Sequence, residues 1–112
     1  MAHYLFQVSY TAAAWAAFLK QPQDRSKAVS GAIEELGGKV DGFWMSFGES
    51  DTIGVVQMPD NVSMAAFAIA VAAGGACKSV KTTPLMTMDE GQAAVKKDSW
   101  KPPLAMAIAP NP

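Results

Sequence analysis

Two pairs of adjacent glycines, Gly37-Gly38 and Gly74-Gly75, punctuate this chain and constrain its fold more than any other feature. Each pair supplies a left-handed stop at the end of a helical stretch, and each is followed by residues of strand character. In "DRSKAVSGAIEELGGK", Val29, Ala32, Ile33 and Leu36 form one apolar stripe, with Arg25, Lys27, Ser30, Glu34 and Glu35 off it, which predicts an amphipathic helix. Pro22 suits its first turn and Asp24 its positive end. The second helical stretch, "VSMAAFAIAVAAGG", is capped by Asp60 or Asn61 and is apolar almost all round. A helix lying on a sheet normally shows water a polar face, so this one implies a cover, either the C-terminal tail or another subunit.

Between and around these helices the apolar period changes to two. In "HYLFQVSY", Tyr4, Phe6, Val8 and Tyr10 point to one side and form candidate core, while His3, Leu5, Gln7 and Ser9 point to the other. Thr11 can cap a short inserted helix through "AAAWAAFLK", with Trp15, Phe18 and Leu19 at helical spacing. "VDGFWMSFG", where Phe43, Met45 and Phe47 alternate with Trp44 and Ser46, and "TIGVVQM" read as an antiparallel hairpin. A last strand runs to about Leu85, with Pro84 suiting an edge, and "TMDE" has the spacing of a capping box for a helix through about Lys97.

The predicted fold is therefore α+β and ferredoxin-like: a βαββαβ order, a four-stranded antiparallel sheet, and both main helices on one face. The other sheet face is left bare, which predicts closure against a second copy as a dimeric α/β barrel or a higher homo-oligomer. Residues 1–97 form the domain; residues 98–112 form an extended, Pro-rich apolar tail anchored by Trp100, Leu104, Met106 and Ile108.

Composition excludes several functions. At 112 residues there is room for one core, and a net charge of −1 with 17% charged residues leaves no electrostatic footprint for nucleic acid or an anionic membrane. One cysteine, Cys77, permits no internal disulfide and no zinc set, which fits a reducing cytoplasm. The first residues, "MAHYLFQVSY", lack signal-peptide character, and the longest apolar run falls short of the roughly 20 residues that span a bilayer. The expectation is a soluble, cytoplasmic protein.

Several segments are carriers of a family resemblance: "YLFQVSYT", "P-x-D-R" at Pro22 to Arg25, "ELGGKVDGFWMSFG", "D-T-I-G-V-V", "MPD" at Met58 to Asp60 and "VKTTPLMT". Over about residues 3 to 90 the chain resembles the GYD-domain family, small bacterial proteins with no established common reaction. The resemblance implies a ferredoxin-like or dimeric α/β-barrel fold. The Gly-x-Tyr-Asp turn that names the family reads Gly48-Glu49-Ser50-Asp51 here, with Ser50 where the family usually has tyrosine.

Candidate site residues follow from side-chain chemistry. Asp51, with Glu49, offers carboxylates for acid-base work, but the turn supplies too few oxygens for calcium or magnesium. The simpler reading gives Gly48 a left-handed conformation and makes Asp51 a cap for backbone N–H groups in the turn. His3, the only histidine, is the other weak catalytic candidate, against the simpler reading of a solvated or interface residue. Trp44 and Ser46 share one sheet face, and Lys81 and Thr83 share one on the last strand; together they suit a flat apolar or aromatic ligand, or a subunit interface. Cys77 reads as a buried inert thiol and the methionines as packing residues, so no metal and no cofactor are expected. Two classes of function remain. One is a homo-oligomeric small-molecule-binding or assembly module; the other is a cofactor-free monooxygenase or isomerase of the dimeric α/β-barrel type, acting on an aromatic substrate.

Overall fold

A computed structural model describes residues 1–97. The tail at 98–112, with the expected anchors Trp100, Leu104, Met106 and Ile108, lies outside the described residues. Along the chain run β1 (Ala2–Tyr10), α1 (Ala12–Lys20), α2 (Ser26–Glu35), β2 (Lys39–Met45), β3 (Thr52–Met58), α3 (Asn61–Ala73), β4 (Cys77–Leu85) and α4 (Met88–Lys96). The strands form one four-stranded sheet in the order β2-β3-β1-β4. Every neighbouring pair is antiparallel. This is the α+β, ferredoxin-like arrangement that the alternation of strands and helices predicts, with α1 inserted after the first strand.

The core forms where the predicted stripes meet. Tyr4, Phe6 and Val8 of β1 and Val56 and Met58 of β3 are buried against Ile33 of α2 and Met64 and Phe67 of α3. The Phe6 and Phe67 rings lie 5.0 Å apart between centroids. Full burial of a side chain such as Ile33 or Phe67 stabilises by about 1.5–3 kcal/mol, so these few residues hold the helices to the sheet. The Tyr4 hydroxyl, buried at one end of this core, donates to Asn61 Oδ1 at the start of α3.

Local chemistry sets the helix ends. Thr11 Oγ1 accepts from the Ala14 N–H at 3.1 Å, and Asp60 Oδ1 accepts from the Ser63 N–H at 2.7 Å. Thr87 and Glu90 complete the expected capping box, at 3.1 and 3.0 Å. Gly37 takes a φ of +84° at the end of α2, as a left-handed stop requires. Gly38 is needed for space instead: a Cβ there would meet the Gln57 carbonyl oxygen and approach Met58 Sδ to 2.6 Å.

The structure corrects four local expectations. Pro22 lies in the α1–α2 connection and not in the first turn of α2, because Asp24 Oδ1 accepts from the Ser26 N–H at 2.9 Å and starts the helix there. Ala32 is exposed, so the inward stripe narrows to Val29, Ile33 and Leu36. Strand β2 stops at Met45, leaving Phe47 fully exposed on the turn. Gly48 is not left-handed, since among the described residues positive φ occurs only at Gly37 and Gly75.

On its outer side α3 presents Val62 and Ile69, 79% and 67% exposed, beside the exposed alanines 65, 66 and 73. Among the described residues nothing covers this face. No helix among them is long and apolar enough to cross a membrane.

Candidate functional site

Strand register sorts the candidate residues between two faces. Tyr4, Phe6 and Val8 stand opposite Val56, Gly54 and Thr52, so these residues point toward the helices. Phe43 and Met45 of β2 join them, paired with Gly54 and Thr52. His3, Leu5 and Gln7 point to the open face, with Val55 and Ile53 on β3 and Lys81 and Thr83 on β4. Trp44 pairs with Ile53 and therefore belongs to the open face as well.

A cleft lies on the helix side, where α1 and the α1–α2 connection stand off from the β2 edge. It encloses about 580 Å³, with Tyr10, Thr52, Phe43 and Met45 along the sheet and Trp15, Phe18 and Arg25 on the opposing wall. Tyr10 organises it. Its ring meets Trp15 and Phe18 edge-on, with centroids 5.4 and 5.1 Å away at 87° and 86°. Trp15 and Phe18 are themselves 5.8 Å apart at 84°, so α1 docks through three mutually perpendicular rings. The Tyr10 hydroxyl and Thr52 Oγ1 share a hydrogen bond of 3.0 Å, which satisfies the polar end of the ring. On the outer wall the Arg25 guanidinium carbon sits 5.1 Å from the Phe18 ring centroid, a cation–π contact.

A second cavity of about 260 Å³ continues inward between the sheet and helices α2 and α3, bounded by Phe67, Val71 and Cys77. It shares Tyr10, Arg25 and Phe43 with the outer cleft. Burial pushes the Cys77 thiol above its ordinary pKa; Arg25 pulls it partly back and Asp51 adds to the rise. The thiol is therefore protonated and weakly nucleophilic at neutral pH.

The carboxylate candidates of the β2–β3 turn resolve separately. Asp51 does not cap the turn itself: its Oδ2 accepts from the Tyr10 N–H at 2.8 Å, across the gap to the end of β1. Its own N–H donates to the Val8 carbonyl and its carbonyl accepts from the Ser46 N–H, both at 2.8 Å. Glu49 is exposed, and its backbone carbonyl accepts from Ser9 Oγ at 2.9 Å, which explains why Ser9 is buried although it faces away from the helices.

Of the residues named from the sequence, Trp44 alone borders the cleft. Its indole folds back along the strand over Gly42, where a Cβ would otherwise sit. Ser46 has left the strand and lies in the turn. Lys81 and Thr83 lie on the open face of the opposite edge strand, about 14 Å from Trp44 by three strand spacings. His3 occupies the same face at the far end, beside Gln57 and Leu85, with Nδ1 unpaired among the described residues. The proposed quartet of Trp44, Ser46, Lys81 and Thr83 thus does not converge. Sequence reasoning passed over Tyr10, Phe18 and Arg25 as site residues; the available signal was an aromatic helix followed closely by the chain's only arginine.

Among the described residues no group of histidine, cysteine, aspartate and glutamate side chains is arranged to hold a metal ion. The family model for the GYD domain matches residues 4–95. No curated protein matches the chain.

Proposed function

The chain belongs to the GYD-domain family, and on that premise we propose that it is a homo-oligomeric small-molecule-binding module of the bacterial cytoplasm, taking a flat apolar or aromatic ligand. The observation that carries this reading is the cleft beneath α1: preformed, of ligand size, walled by Tyr10, Trp15, Phe18 and Phe43, with a few polar groups at its margin. Its position between sheet and helices also suits the cofactor-free monooxygenase or isomerase reading. That reading needs a reachable polar group, and the Tyr10 hydroxyl, hydrogen-bonded to Thr52, is one that borders the cleft. The free thiol of Cys77 accords with a reducing compartment.

Self-association has separate support. The open sheet face carries Leu5, Ile53 and Val55 in its centre and Trp44, 58% exposed, at its edge. Tryptophan flanking an apolar patch is typical of interface composition.

The test is titration of the full chain with 2-naphthamide and 2-naphthoate, followed by the indole N–H resonances of Trp15 and Trp44, with light scattering for mass. Saturable shifts at Trp15 from either probe, in a dimer or larger species, support the reading. Unshifted indoles at millimolar probe, or a monomer at micromolar concentration, sink its binding or its assembly half respectively.

A further inference from the structure

We infer that the ligand of this cleft is an aromatic anion, an aryl carboxylate or its equivalent, whose ring lies among Tyr10, Trp15 and Phe18 and whose acidic group is held by Arg25. The inference rests on the cleft being a binding site and adds the charge of its occupant.

Arg25 is the chain's only arginine and follows the aromatic helix by a short connection. It stands where the outer cleft and the inner cavity meet, since it borders both. Its guanidinium carbon lies 5.1 Å over the Phe18 ring centroid. A cation–π contact of that kind leaves the N–H donors of the guanidinium available to a ligand. Its side chain is exposed at the margin of the cleft. A guanidinium at the margin of an apolar slot is the group that recognises a carboxylate by two parallel hydrogen bonds.

Two neighbouring carboxylates have backbone hydrogen-bond partners of their own. Asp24 also borders the cleft, but its carboxylate accepts from the Ser26 N–H at 2.9 Å and is engaged at the start of α2. Asp51 is engaged by the Tyr10 N–H. The aromatic walls alone would equally suit a quaternary ammonium group, but a cationic ligand would be brought against Arg25. Lysine would be a poorer choice here, because its ammonium is a point charge that neither stacks nor pairs in two places.

The experiment compares 2-naphthoate with 2-naphthamide, its neutral isostere, by calorimetric titration of the full chain and of Arg25→Gln and Arg25→Lys. The native protein is expected to bind the carboxylate about tenfold more tightly than the amide. Arg25→Gln should bring that ratio to about one by weakening the carboxylate far more than the amide, and Arg25→Lys should restore part of it. Equal binding of both probes by the native protein overturns the charge assignment and leaves the aromatic cleft standing. A preference for carboxylate that survives in Arg25→Gln overturns the role of Arg25. Binding of neither probe removes the site itself. Circular dichroism of each variant, expected to match the native protein because the Arg25 side chain makes no helix-capping bond, keeps misfolding from being read as lost recognition.

Discussion

The backbone N–H of Tyr10 donates to Asp51 Oδ2 at 2.8 Å, fastening the exit of β1 to the turn between β2 and β3. Because the Asp51 backbone also bonds Val8 and Ser46, one residue joins three chain segments at this end of the sheet. Asp51→Ala removes an acceptor from a part-buried donor, and a loss of about 1–3 kcal/mol is expected in urea unfolding. Asp51→Asn keeps an acceptor and should lose less. Equal losses in both would make the carboxylate's charge, and not its hydrogen bond, the important quantity.

Two glycines predict opposite outcomes for the same substitution. At Gly38 a new Cβ meets the Gln57 carbonyl and the buried Met58 and Ile33 side chains, so Gly38→Ala should cost about 1–3 kcal/mol. At Gly42 it meets only the Trp44 indole on an exposed edge strand. Gly42→Ala should shift tryptophan emission while costing less than about 1 kcal/mol. A silent spectrum would mean that Trp44 does not lie over Gly42.

Phe67→Ala removes the α3 ring that meets Phe6 and should cost about 3–5 kcal/mol. A domain of this size has about 5–15 kcal/mol in total, so the variant should be largely unfolded at moderate temperature. A melting temperature within a few degrees of the native value would contradict the assigned core.

Acid stability should depend on carboxylates at helix starts. Hydrogen bonds from the Ser26 hydroxyl and N–H hold Asp24, and bonds led by the Ser63 and Thr87 N–H groups hold Asp60 and Glu90, below their ordinary values of 3.8, 3.8 and 4.5. A depressed folded value means that the contribution is fully present above the unfolded value and is lost as pH falls through the folded one. Asp60→Ala should therefore melt at a lower temperature than the native protein at neutral pH, with the gap narrowing below pH 3.8. A gap independent of pH would remove the charge from the explanation. All three groups are exposed, so the effect should be small.

Cys77 offers a reporter for the inner cavity. Its raised thiol pKa predicts alkylation by iodoacetamide several times slower than in the urea-unfolded chain at about pH 8. Because Arg25 draws that pKa down, Arg25→Gln should slow the reaction further. Faster alkylation in the variant would show that Arg25 shields the thiol more than it acidifies it.

The fold was legible because its signals are periodic and local. Alternation in β1 marked Tyr4, Phe6 and Val8 as core, and Asp60, Thr87 and Gly37 marked helix ends by chemistry that acts within a turn. Where two local signals competed, the sequence misled: Pro22 suits a first helical turn, but Asp24 bonds to Ser26 and moves the start. The site was less legible because its walls come from separated segments. Tyr10, Phe18, Arg25 and Phe43 share no spacing, and only the register at Thr52 and Gly54 places Phe43 on their side of the sheet. Trp44, the most conspicuous residue on that strand, points the other way by the same register. Ser9 shows the opposite failure: a bond to the Glu49 carbonyl buries a residue whose position in the alternation says otherwise.

Helix α1 makes no ladder with the sheet and leans on it through Tyr10, while the main core lies under α2 and α3. The segment that shapes the cleft thus packs outside the main core. On the binding role proposed above, exchanging residues between Thr11 and Arg25 is expected to alter recognition while the strands beneath keep their pairing.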